Sequence, residues 1–198
     1  LMLEMIKAGV PGFYVVHAGE ECGGIGSSYI AKQHPIWIDD IDACIAFDRL
    51  GTESIVTHQC ATRTASDEFA VRFADLLGLP MRPDDTGVYT DSFEYAHLIP
   101  ECTNISVGYY GQHTTKEYQD LQFLCELRDS LIKCDWSKLV IERDPYIESL
   151  FHPRGGHHLT ESEDNDDLYE FVKNNPQRVA DFLEAYSITV NDIEMDMW

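Results

Sequence analysis

Basic residues are scarce in this chain. Fourteen Lys and Arg stand against 35 Asp and Glu, a net charge of −21. So acidic a surface repels phosphate backbones and anionic headgroups, which excludes nucleic acid and membrane surfaces as partners. No apolar run approaches the roughly 18 residues of a membrane-spanning helix. None of the six cysteines, Cys22, Cys44, Cys60, Cys102, Cys125 and Cys134, stands in a CxxC pair. That argues against a Cys-type structural zinc and points to free thiols in a reducing compartment, hence to the cytoplasm. No stretch repeats internally.

What is present suits a packed domain: 198 residues, of which 44% are hydrophobic. The segment Phe13 to Ser28, FYVVHAGEECGGIGSS, stands out. Phe13 to Val16 has the β-branched and aromatic content of a buried strand. It runs into Glu20 and Glu21, two adjacent carboxylates, and then Gly23, Gly24 and Gly26. Neighbouring side chains of an extended chain point to opposite faces, so both carboxylates serve one site only if the backbone turns, and the glycines permit that turn.

Elsewhere, helical periodicity or capping marks Leu1 to Ala8, Ser27 to Gln33, Asp91 to Ile99 and Lys116 to Asp135. A further helix follows Ser66, with Phe69, Phe73, Leu76 and Leu77 on its apolar face. Ala43 to Phe47 reads as a strand and Ser54 to His58 as its hairpin partner. Thr103 to Tyr109 reads as another strand, and residues 82–90 as a loop. Alternating strands and helices predict an α/β fold, a sheet with helices on its faces, over residues 1–136. After Trp136 the chain turns strongly acidic, and residues 137–198 read as a linker with short helices at 167–174 and 176–186.

Three carboxylates and a histidine fall at strand ends: Glu20, Glu21, Asp48 and His113. Carboxylate and imidazole are a hard-to-borderline donor set suited to zinc, cobalt or manganese. A spare Glu beside a ligand Glu matches metal-assisted hydrolysis, one carboxylate holding the ion and the other taking a proton from the attacking water.

The segments HAGEECGGIGS (His17 to Ser27), IAFDRLG (Ile45 to Gly51) and ISVGYYGQHTTKE (Ile105 to Glu117) resemble the co-catalytic zinc exopeptidases, in the aminopeptidase group with a short inter-ligand insert. The resemblance covers about residues 1–135. It implies a three-layer α/β fold with a mixed, mainly parallel sheet, two zinc ions, and hydrolysis of peptide bonds by metal-activated water. It places Glu20 as the general base and Glu21, Asp48 and His113 as metal ligands, with a peptide or small amide as substrate. The first His ligand and the bridging Asp of that family lie upstream of the Glu pair, where this chain supplies neither. The chain then looks like an N-terminally truncated member that binds metal weakly and turns over poorly. A related amidohydrolase or acyltransferase, or a degenerate binding module, are the alternatives.

Other residues carry weaker expectations. Tyr109 and Tyr110 line a substrate pocket or simply pack. His17 is a buried structural histidine or supports the site from behind. Asp91 and Ser92 cap a helix. Arg63 binds a substrate carboxylate or does nothing, and His58 and His97 are structural. His152, His157 and His158 form a metal cluster or an idle loop.

Overall fold

The structure is a computed structural model that describes residues 1–151, 172–177 and 179–180. The chain divides into two compact units, Leu1–Pro153 and Arg154–Trp198. In the second, residues 172–174, 176–177 and 179–180 are helical. The histidine loop at 152–158 and the rest of the expected C-terminal helices lie outside the described residues.

The first unit has five helices among the described residues: α1 (Met2–Lys7), α2 (Ile25–Gln33), α3 (Asp67–Leu77), α4 (Leu121–Lys133) and α5 (Pro145–Phe151). Its strands are β1 (Ala43–Arg49), β2 (Ser54–Val56), β3 (His58–Gln59), β4 (Thr62–Arg63), β5 (Arg82–Asp84), β6 (Glu101–Ser106), β7 (Tyr109–Tyr110) and β8 (Tyr118–Gln119). Four of them form a mixed, mainly parallel sheet in the order β1-β6-β2-β5. β1 and β6 are parallel, β2 and β5 are parallel, and β2 meets β6 antiparallel. β3–β4 and β7–β8 are separate two-stranded ribbons.

All six residues of β6 are buried, as a strand covered on both faces requires. On one face Ile55, Ile105, Phe69, Phe73, Leu127 and Leu131 form the main core. On the other, Cys102 packs with Ala31, Ile38, Tyr95, Ala96 and Ile99. Successive residues of β1 divide between them: Ala43, Ile45 and Phe47 join the first core and Cys44 the second. The expected three-layer α/β arrangement is therefore present.

Ser66 is the cap its signal predicts, but α4 begins at Leu121 rather than at Lys116, because Tyr118–Gln119 pair with β7 as β8. Ser66 accepts from the Phe69 amide at 3.0 Å and opens α3, and Asp120 accepts from the Phe123 amide at 2.9 Å and opens α4.

Three local expectations are corrected. β2 is not the hairpin partner of β1, because β6 lies between them; a strand buried on both faces removes more apolar surface from water than a two-stranded ribbon does. Residues 82–84 form β5, with Pro83 tolerated because this strand is at the sheet edge. Phe13 to His17 is not a strand. Its backbone makes no hydrogen bond among the described residues, and Val16 is 86% exposed. Strand propensity is realised only where a partner strand is present to pair.

The first unit also runs beyond Trp136. Leu139 packs against the main core, and Ile147 is buried. Glu101, fully buried, accepts from the Ser66 amide at 2.6 Å, the Ser66 hydroxyl at 2.9 Å, the Glu142 amide at 2.9 Å and the Arg143 amide at 3.1 Å. Arg143 in turn pairs with Glu148 at 2.6 Å and donates to the carbonyls of Thr64, Pro100 and Ala96. A buried carboxylate is tolerated only when its lone pairs are satisfied in this way.

Candidate metal-hydrolase site

Glu20 to Cys22 form one turn of 3-10 helix, bounded by left-handed Gly19 (φ 73) and Gly23 (φ 87). The turn expected after the apolar run is therefore present. Gly24, also left-handed, precedes α2 and lies against Tyr89; a Cβ at Gly24 would overlap the Tyr89 hydroxyl. Glycine is the residue that both the conformation and the contact allow there.

Asp48 stands at the C-terminal end of β1, beside a bulge at which the register with β6 shifts. The side chain of Asn104 repairs the ladder. Its Oδ1 accepts from the Asp48 amide at 2.8 Å and its Nδ2 donates to the Asp48 carbonyl at 2.9 Å. Tyr109 also donates to that carbonyl, at 3.3 Å. The Asp48 backbone is thus held on three sides while its carboxylate keeps access to solvent.

His113 has φ 60, a left-handed conformation uncommon for a side chain other than Gly or Asn. Its amide donates to Glu117 at 3.3 Å. Strained backbone of this kind clusters at functional positions.

Electrostatics tie these elements together. The Glu20 carboxyl is held above its ordinary range by desolvation, then by the charges of Asp48, Glu21 and Asp91, with His113 opposing. The Asp48 carboxyl is raised by desolvation, then by Glu21 and Asp91, again opposed by His113. Residues far apart in the chain therefore share one field. Like charges crowding a partly desolvated carboxylate favour its protonated form.

Asp91, expected as a helix cap, is a member of this group. Thr90 is the cap residue, and it makes no side-chain cap bond. The Asp91 carboxylate instead accepts from the Ser27 hydroxyl at 2.5 Å and stands 3.1 Å from His17 Nδ1. His17 Nε2 lies 2.7 Å from the Tyr95 hydroxyl. His17 therefore braces Asp91 against the second core. No periodicity signals such a contact, because it joins a loop to a turn many residues away.

The two tyrosines differ in placement. Tyr109 lies against Asp48, which contributes with desolvation to raising its phenol. Tyr110 stacks on Tyr118 with ring centroids 5.1 Å apart. Arg63 is engaged at the start of α3, with the Ala65 carbonyl and Asp67. His58 contacts Thr57.

Among the described residues, no three His, Cys, Asp or Glu side chains stand close enough together to hold a metal ion as they lie. The donor types of Glu21, Asp48 and His113 fit a divalent cation, and their mutual field is the kind such a charge relieves. Their present spacing leaves the shell unformed. Among the described residues, no helix is long and apolar enough to cross a membrane. Compared with protein-family models, characterised proteins and solved structures, the chain finds no match.

Proposed function

We propose that the chain carries the site of a zinc-dependent metallopeptidase, an exopeptidase of aminopeptidase type. The observation that supports this reading is the electrostatic influence that Glu21, Asp91 and His113 exert on Asp48, and these with Asp48 on Glu20, from a glycine turn, a strand end and loops. Glu21 would hold one of two ions and Asp48 the other, with His113 as the last ligand. Zinc, or cobalt or manganese in its place, supplies Lewis-acid activation of water when bound.

Glu20 is the general base. Its raised affinity for a proton suits a group that must take one from water and pass it to a leaving amine. Tyr109, beside Asp48, borders the substrate, a peptide or small amide. Asp91 adds to the field at Glu20 and Asp48, and His17 fixes its orientation. Six free cysteines accord with a cytoplasmic setting.

The test is hydrolysis of aminoacyl-nitroanilides by the intact protein supplied with zinc, wild type against Glu20→Gln. General acid–base catalysis contributes about 10²–10⁴-fold, and the variant should lose a factor of that size. Wild-type rates in Glu20→Gln would overturn the assignment of the base. Turnover of acylated amino acids but not aminoacyl substrates would favour a related amidohydrolase or acyltransferase. The unformed ligand shell favours a second reading, a non-catalytic binding module on the same fold.

A further inference from the structure

Two of the six thiols stand side by side in the sheet. Cys44 of β1 and Cys102 of β6 are register partners in the parallel ladder. Neighbouring strands lie about 4.8 Å apart, and aligned residues send their side chains to the same face. That face is the second core: Cys102 belongs to it, and Cys44 packs against it. A disulfide spans Cα separations of about 4.4–6.8 Å, so strand spacing alone brings this pair within reach of one. The Cys102 thiol is raised well above its ordinary value, first by burial and then by the neighbouring Cys44 thiol. Both cysteines are unbridged.

The two differ in access. Cys102 is fully buried, with its sulfur 3.7 Å from the Ile99 carbonyl. Cys44 is half-buried and lines a cleft of about 520 Å³ beside β1. The other thiols are placed differently. Cys22, Cys60 and Cys125 are exposed, and Cys134 belongs to the main core on the opposite face of the sheet.

We propose that Cys44 and Cys102 form a reversible disulfide, with Cys44 meeting the oxidant and Cys102 closing the bond. The oxidant is a hydroperoxide, hydrogen peroxide in the simplest case, which is small enough to enter the cleft. The Cys44 thiol gives up its proton, and its sulfur attacks one peroxide oxygen. The O–O bond breaks, Cys44 becomes a sulfenic acid, and the departing hydroxide takes the proton as water. The Cys102 sulfur then displaces the hydroxyl from Cys44. The S–S bond forms, the S–O bond breaks, and the Cys102 proton leaves with the hydroxyl as a second water. Two thiols are oxidised by two electrons, and one peroxide is reduced to two waters. Burial keeps Cys102 from the peroxide, so it enters second. Exchange with small thiols reopens the bond in a reducing compartment, where disulfides are transient. The link ties β1 to β6 in the strand pair that carries Asp48 and Asn104. The inference does not depend on the peptidase reading.

The test uses the full chain with Cys22→Ser, Cys60→Ser and Cys125→Ser, which removes the exposed thiols and leaves Cys44, Cys102 and Cys134. Reduced protein is treated with hydrogen peroxide, alkylated in denaturant, digested with trypsin without reductant and analysed by mass spectrometry. Trypsin places Cys44 and Cys102 in separate peptides. Two of the three thiols should be lost, and those two peptides should appear as one linked species, lighter than their sum by two hydrogens. Dithiothreitol should restore both thiols. With Cys102→Ser added, Cys44 should stop at the sulfenic acid and take up dimedone. The linked peptide is read with both thiols intact, so it decides the matter even if that last variant does not fold.

Three results would overturn the proposal. One is alkylation of both Cys44 and Cys102 after peroxide treatment. Another is a linkage of either to Cys134 in place of the pair. The third is a dimedone adduct on Cys102 with Cys44 still a thiol.

Discussion

The side-chain amide of Asn104 takes the place of a strand backbone opposite Asp48, donating to its carbonyl and accepting from its amide. Without it the bulge in β1 would leave the Asp48 amide unpaired and its carbonyl with the Tyr109 hydroxyl alone. Asn104→Ala removes both bonds, and each net hydrogen bond contributes about 0.5–1.5 kcal/mol. The variant should lose about 1–3 kcal/mol in urea unfolding. Exchange at the Asp48 amide should quicken more than exchange in α3. Equal stability of variant and wild type would mean that the bulge is held by other groups.

Acid lability should centre on Asp84. Its carboxyl is held down at about 2, against an ordinary 3.8; burial opposes this, but the hydroxyls of Thr86 and Ser54, the Thr86 amide and the Arg49 charge outweigh it. A depressed folded value means the unfolded chain takes up the proton first. The contribution is present above 3.8 and lost as pH falls toward about 2. Glu20 and Asp48 have the opposite sign: their raised values favour the folded state in acid, and that advantage fades as pH rises through them. Asp84→Asn should flatten the acid limb of a melting-temperature profile below pH 3.8. An unchanged limb would mean that another carboxylate dominates.

The end of the first unit should be measurable by truncation. A chain ending at residue 136 loses the Glu142 and Arg143 amides from buried Glu101, and Arg143 itself from the Thr64, Pro100 and Ala96 carbonyls. Breaking a buried charged network costs about 3–5 kcal/mol. The 1–153 chain should unfold cooperatively near the wild-type midpoint, and the 1–136 chain well below it or not cooperatively. Equal midpoints would place the boundary at Trp136.

Gly24→Ala should disturb the turn that carries the paired carboxylates. Its φ of 63 is unfavourable for alanine, and the new methyl would meet the Tyr89 hydroxyl. Left-handed conformation alone costs about 1–2 kcal/mol for a residue with a Cβ. Thermal melting should show a loss at least that large. A neutral substitution would mean that Tyr89 is free to move aside.

Much of this architecture is legible in the sequence, for identifiable reasons. Periodicity and a cap mark α3, because Phe69, Phe73 and Leu77 recur on one face and Ser66 sits where orphan amides need an acceptor; periodicity marks α4 through Leu131, while its cap Asp120 and its buried Phe123 and Leu127 are not picked out. Strand partnership is less visible. Nothing local in Ser54 to Val56 says that it pairs with a strand some fifty residues on rather than with β1. Phe13 to Val16 has strand chemistry and, among the described residues, no backbone partner, which composition cannot report. At the site, the glycine turn and the strand-end Asp48 can be read in advance. The supporting role of His17 is one of the two readings its sequence allows, but the contacts of Asn104 and Asp91 cannot be read, since each is set by tertiary packing.

In the proposed site Glu21 holds one cation, Asp48 a second and His113 completes the ligands, with Glu20 beside them. Calorimetric titration of the full chain with zinc tests it most directly. A variant with Ala at His152, His157 and His158 serves as background, so that loop histidines contribute nothing. Zinc should bind saturably, and Asp48→Asn should weaken the binding by about tenfold or more, about 1.4 kcal/mol. Absence of binding at millimolar zinc, or an affinity that Asp48→Asn and Glu21→Gln both leave unchanged, would contradict it.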